Sequence, residues 1–133
     1  MIDTSVLIAG LIPDHEFHAD ARPHVVAAAS GRIPGPVVAE AWAVLRRAPW
    51  NLAPDVVRAL LAPWSDEARI AAPSSADFAM AVEDAVRLGA GGGVHDLVIA
   101  RTCATSRLGL VTLDRRQAAM ARELDEMDVA LLG

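Results

Sequence analysis

Leu110-Val111-Thr112-Leu113-Asp114-Arg115-Arg116 reads as a short strand that ends on an acid and passes straight into a helix running to Leu124. A strand this short and apolar on both faces belongs in a parallel sheet covered by helices. The same grammar extends outward from it. Upstream, His95 to Arg107 reads as helix, and Gly109 ends the link after it. Before that, Ser75 caps a helix to Leu88, and Gly89-Ala90-Gly91-Gly92-Gly93 forms a flexible break. Arg69 to Ala72 is a candidate strand, and a short helix lies behind Pro54 between Asn51 and Trp64. Pro36 stands in the first turn of a helix over Val37 to Arg47, entered from the extended link Arg32 to Gly35. Asp14 is expected to cap a helix that ends near Ser30, with Pro23 kinking or delaying it and Gly31 stopping it. Met1-Ile2 is the end of a strand, clipped at its start, followed by Asp3 and an apolar helix over Ser5 to Ile12. Downstream, Val129 to Leu132 makes a last strand. The expectation is one α/β domain over residues 1–133, a sandwich of helices on a short parallel sheet.

Composition supports a folded chain. Of 133 residues, 53% are hydrophobic and 22% charged, which is globular rather than disordered. The formal charge of −5 argues against a protein that coats nucleic acid through a cationic surface. It leaves room for an enzyme that holds its substrate with a few Arg and a cation. The single cysteine, Cys103, allows no internal disulfide and reads as a small buried hydrophobe in a helix. The apolar run Val6 to Ile12 is too short to span a membrane and follows an acid instead of a cationic leader. A cytoplasmic location, with no membrane partner, is expected.

Chemistry concentrates in four acids. Asp3 and Asp114 each follow a strand, and open parallel sheets build sites beyond the carboxyl ends of their strands. Glu40 and Asp96 lie in the opening turns of helices, which face that same edge. Taken singly, Asp114 could be a helix cap, Asp96 a dipole partner, Glu40 an exposed acid and Asp3 a turn residue. Asp3 fits its ordinary role worst, wedged between Ile2 and Val6-Leu7-Ile8. Four converging carboxylates repel one another unless something positive sits among them. Oxygen donors favour Mg2+ or Mn2+ as that partner. A soft-metal site lacks ligands: His15 and His18 are accompanied by no Cys or third His, and His24 and His95 are isolated. The glycine-rich segment has no Lys-Ser/Thr ending, so it is no phosphate-binding loop. Ser5 lies near Asp3, but no strand-turn elbow surrounds it.

Four segments carry a family pattern: Ile2-Asp3-Thr4-Ser5-Val6-Leu7, Val38-Ala39-Glu40, His95-Asp96-Leu97-Val98-Ile99-Ala100, and Val111-Thr112-Leu113-Asp114-Arg115. Together, in this order and spacing and over essentially the whole chain, they resemble the PIN-domain nucleases, above all the VapC-type toxins of bacterial type II toxin–antitoxin pairs. The resemblance implies a three-layer α/β/α sandwich and divalent-metal-dependent endoribonuclease activity. It also implies restraint by a cognate VapB-like antitoxin. It matches Asp3, Glu40, Asp96 and Asp114 to the family's catalytic acids, with Asp3, Asp96 and Asp114 on the metal. Ser5 and Thr112 match supporting polar positions, and strand periodicity puts Thr112 and Asp114 on one side. Gln117 departs from the pattern, standing where the family more often has an aromatic or apolar residue.

Arg115, Arg116, Arg46 and Arg47 are the candidate RNA-binding cations, with solvated helix faces as their alternative role. Trp42, Trp50, Leu60, Leu61 and Trp64 could together form an antitoxin groove or a homodimer interface. Two rivals stand beside the nuclease reading. An aspartate-based phosphatase or phosphotransfer domain wants a second Asp two residues after the first, where this chain has Ser5, or a Lys, of which it has none. A catalytically silent PIN-like binding module would be favoured by a missing acid, and all four are present.

Overall fold

The computed structural model describes residues 1–89, 93–124 and 127–133. Helices α1 (Thr4–Leu11) and α2 (His18–Ala28) lead into strand β1 (Ile33–Pro34), helix α3 (Gly35–Arg46) and helix α4 (Pro54–Leu60). Two 3-10 turns, Ala62–Ser65 and Glu67–Arg69, deliver strand β2 (Ile70–Ala71). Helices α5 (Ser75–Leu88) and α6 (Val94–Thr105), strand β3 (Leu110–Thr112), helix α7 (Arg115–Arg122) and strand β4 (Val129–Leu131) complete the chain.

Every strand pairing among the described residues is parallel. β1 pairs with β2, β3 pairs with β4, and Ile2 makes an isolated parallel bridge to Val111. The two edges of β3 are used in turn. Val111 donates to the carbonyl of Met1 (2.8 Å) and accepts from Asp3 (3.1 Å), while Leu110 N donates to Asp128 (2.8 Å) and the Thr112 carbonyl accepts from Leu132 (2.9 Å). Backbone groups of successive strand residues point to opposite sides, so the segment around Ile2 and β4 flank β3. This ordering carries both Asp3 and Asp114 to one end of neighbouring strands.

α1 is buried from Val6 through Gly10, which is why its sequence is apolar all round rather than striped. It packs on α2 so closely that a Cβ added at Gly10 would come within 2.4 Å of Val25 Cγ2. Leu97 to Ala100 of α6 and Val37, Ala41 and Leu45 of α3 complete the core. Cys103 is wholly buried, and that burial pushes its thiol up to about 11, so it is the inert hydrophobe expected. No helix among the described residues is long and apolar enough to cross a membrane.

Several boundaries differ from the sequence reading. Asp14 does not cap the second helix; the cap position is Phe17, without a side-chain bond, and the helix ends at Ala28. Backbone turns do the capping work instead: His15 N bonds to Ile12 O (3.1 Å) and His18 N to His15 O (2.9 Å), and they fold α2 back against α1. Pro23 sits inside that helix rather than delaying it. The link at Arg32 to Gly35 is a true strand at its centre, paired in register with Ile70 and Ala71. Ser74, not Ser75, caps α5, and it forms a reciprocal capping box with Asp77. Gly89 ends α5 at φ 61°, a conformation glycine adopts without penalty; Ala90 to Gly92 of the expected flexible break lie outside the described residues.

α5 and α6 are held together by two buried acids. Asp77 accepts from Thr105 Oγ1 (2.6 Å), and Asp84 accepts from Arg101 Nε (2.6 Å) and Arg87 Nη2 (3.1 Å). The Arg101 hydrogen bond holds the Asp84 carboxyl below the usual carboxylate range, against the opposing effect of burial. A depressed folded-state pKa contributes stability above the unfolded pKa and loses it as pH falls through the folded one. Arg101→Ala is therefore expected to cost about 2 kcal/mol at pH 7. It should cost clearly less at the acid end, where Asp84 is protonated. Urea unfolding at both pH values checks this, and an equal cost at both would contradict it.

Candidate metal centre

Asp3 is the best-anchored of the four acids. It caps α1, and Oδ1 accepts from Val6 N (2.9 Å) and Ser5 Oγ (2.6 Å), while Oδ2 accepts from Thr112 Oγ1. Three of roughly four lone-pair sites on the carboxylate are thereby taken, and one stays open. Its 2% exposure makes this a buried charge, and desolvation raises its pKa despite the three donors, with Asp114 adding to the rise.

Ser5 and Thr112 each join two pieces of the site. Ser5 Oγ also accepts from Leu113 N (3.0 Å), tying the end of β3 to the start of α1. Thr112 Oγ1 accepts from Asp114 N (2.9 Å), so one hydroxyl contacts two of the acidic residues. Asp114 is exposed and caps α7, its Oδ1 accepting from Arg116 N (2.7 Å) and Gln117 N (3.1 Å). The capping role and the site role are thus not alternatives, since capping fixes one oxygen and leaves the other. Glu40, half-buried on α3, accepts from Thr4 Oγ1 across the gap between α3 and α1.

Asp96 decides whether these four belong together. It lies half-buried in the first turn of α6. Its pKa is raised first by burial, then by the charges of Glu40, Asp114 and Asp3 in that order, and Arg116 partly offsets them. Residues 3, 40, 96 and 114 thus share one electrostatic basin. The family described as PIN domain matches residues 1–123. The chain belongs to the PIN-domain family. No curated protein matches it.

PIN domains are generally divalent-metal-dependent nucleases, and this one offers the donor chemistry that requires: hard carboxylate oxygens whose mutual repulsion a cation would relieve. Among the described residues no three His, Cys, Asp or Glu side chains are already arranged to hold an ion. The acids are engaged by hydroxyl and backbone donors, Asp3 by Ser5 and Thr112, Glu40 by Thr4, and Asp114 by the first turn of its own helix.

Of the arginines, Arg115 and Arg116 are exposed at the start of α7, with Arg116 within electrostatic reach of Asp96. Arg47 lines a cleft with Thr4 and Glu40. Arg46 Nη1 donates to Leu52 O (2.9 Å) and so braces the loop after α3.

Sequence reasoning did not assign a role to two polar residues that the structure places against the candidate acids of this PIN domain. Thr4 stands beside Asp3 but is a partner of Glu40. Gln117 is buried, with Nε2 donating to the Asp96 carbonyl (3.5 Å) and Oε1 near Thr112 Oγ1 (3.4 Å). Its polarity, a departure from the family's usual residue, was the available signal. A buried amide on an otherwise apolar helix face has to serve polar neighbours.

Proposed function

We propose that this PIN domain is a Mg2+-dependent endoribonuclease, also served by Mn2+, acting as the VapC-type toxin of a toxin–antitoxin pair. The observation that carries this is a PIN-domain chain with four carboxylates within electrostatic reach of one another: burial first, and then the charges of Glu40, Asp114 and Asp3, raise the Asp96 pKa. Asp3, Asp96 and Asp114 would hold the ion, which when bound activates water and neutralises charge on a phosphodiester. Glu40, held by Thr4, takes the proton from the attacking water. Arg115 and Arg116 hold the RNA phosphates beside the acids, with Arg47 on the Glu40 side.

The order and spacing of the four acid-bearing segments support the toxin assignment, and with it a cytoplasmic location and a VapB-like antitoxin. The expected aromatic cluster does not supply the protein-binding surface as a unit, because Trp64 and Leu61 are core while Trp42 is 41% exposed. Phe78, Val82 and Val86, spaced four apart on α5 and 53%, 52% and 78% exposed, better support a face for a second subunit or antitoxin.

The test is incubation of purified protein with total cellular RNA, with Mg2+ or Mn2+ and with chelator. Discrete, metal-dependent fragments are expected. Metal binding without cleavage of any RNA would instead favour a silent binding module. The hydroxyl shared by Asp3 and Asp114 gives a finer prediction. Thr112→Val keeps the buried shape but removes that hydroxyl, and should weaken Mn2+ affinity roughly 10- to 100-fold. Calorimetric titration checks it, and unchanged affinity would remove Thr112 from the site.

A further inference from the structure

Next to the acids lies an open cavity of about 570 Å³, within the size range of small-molecule sites. Ser5 and Asp114 belong to its wall as well as to the acidic basin, so the two are continuous. The rest of the wall brings together the rings of Phe17, His15 and Trp50, with Glu16, Arg115 and Thr4 among them. Ile8, Val44 and Leu113 add aliphatic surface. Resting on the nuclease reading above, we propose that this cavity takes one nucleobase of the RNA strand, next to the phosphate that is cut.

The chemistry of the wall selects a base over other occupants. Glu16 disfavours a phosphate, so the neutral planar part of a nucleotide enters while its phosphate stays with Asp114 and Arg115, where the proposed ion and a guanidinium can meet it. Phe17 and Trp50 are half-buried aromatic surfaces of the kind on which bases stack. His15 and Phe17 rings stand 6.1 Å apart at 43°, and His15 Nδ1 accepts from Phe17 N (3.2 Å). That bond places the imidazole proton of neutral His15 on Nε2, as a donor. The indole N–H of Trp50 has no acceptor among the described residues, and the Glu16 carboxylate accepts hydrogen bonds. A heterocycle with donors and acceptors on its edge would use these groups. An apolar peptide side chain would leave them without partners.

The experiment is a fluorescence titration of the full chain carrying Trp42→Phe, which removes an exposed reporter and leaves Trp50 beside the cavity, with the buried Trp64 as a constant background. Short RNA oligonucleotides are compared with the same strands bearing one abasic residue, the gap being walked along the strand. Mn2+ is present and the strands carry a non-hydrolysable linkage, so they stay uncut, and ratios of affinity are read. Stacking predicts that one abasic position lowers affinity about tenfold and removes the quenching. Phe17→Leu, which keeps apolar bulk without a stacking face, should bring intact and abasic strands to the same affinity. The oligonucleotide comparison needs no variant at Phe17 and so holds even if that substitution harms folding.

Equal affinity for intact and abasic strands at every position would overturn the proposal. So would an equal loss for both in Phe17→Leu, an absence of RNA binding, or quenching by an apolar peptide and not by RNA. Cleavage with Mn2+ is assayed on the same chain. Base preference without cleavage removes the nuclease reading and leaves the pocket, and cleavage without base preference removes the pocket alone.

Discussion

Asp96→Asn is expected to lose metal-dependent RNA cleavage by roughly a thousandfold or more while making the metal-free protein harder to unfold at neutral pH. The first effect follows from the size of what a bound cation contributes, several kcal/mol of charge stabilisation, with each 1.36 kcal/mol worth tenfold in rate. The second follows from the sign of the shift. Burial, then Glu40, Asp114 and Asp3, raise the Asp96 pKa, so its charged form opposes folding at pH 7. A carboxyl with a raised folded-state pKa gains stability as pH falls and it protonates. The stabilisation by asparagine should therefore shrink toward acid pH. Mn2+ should raise the melting temperature of the wild type, by the mass action of a ligand that binds only the folded state, and should do so far less for the variant. Thermal melts at pH 7 and pH 4, with and without Mn2+, give all four comparisons. A variant that cleaves normally, or is destabilised at pH 7, would remove Asp96 from the centre of the site.

That a substitution at a proposed metal ligand should stabilise the fold also shows what was legible in the sequence. Asp3 and Asp114 were visible because each stands at the end of an apolar strand, where parallel sheets build their sites, although a helix cap alone would account for either. Glu40 and Asp96 look like ordinary helix-surface residues when taken singly, and it was their place in helix openings facing the strand ends, together with the family pattern, that singled them out before the fold brought them near the other two. Thr4 and Gln117 stayed hidden because their partners, Glu40 and the Asp96 carbonyl, lie 36 and 21 residues away in sequence. The strands and most helices were readable from short apolar runs and helical periodicity. The entry to α2 was not, because backbone turns at Ile12 and His15 replaced the side-chain cap that Asp14 suggested. The tryptophans misled for a related reason. Composition says that a large ring must be covered, but not whether core or partner covers it.

Trp64 answers that for itself, and its removal should be the costliest single truncation. It is 2% exposed in the 3-10 turn after α4, and its indole N–H donates to the Ala28 carbonyl at the end of α2 (3.1 Å). Arg69 donates to the neighbouring Ala29 carbonyl, so the two side chains moor the segment between α4 and β2 to α2. Trp64→Ala loses the burial of a large ring, leaves a cavity and frees that mooring, for an expected loss of about 4 kcal/mol. Trp64→Phe keeps most of the apolar volume and forfeits mainly the hydrogen bond, for about 1 kcal/mol. Urea unfolding should show both losses as lower midpoints at nearly unchanged slope. Mn2+ affinity of the folded protein should stay constant, since the Trp64 hydrogen bond goes to Ala28 at the end of α2 and to none of the four acids. A loss below about 1 kcal/mol in Trp64→Ala would mean that the segment is not packed on the core. An alanine variant that folds normally but no longer associates with a partner would return Trp64 to the surface role its composition first suggested.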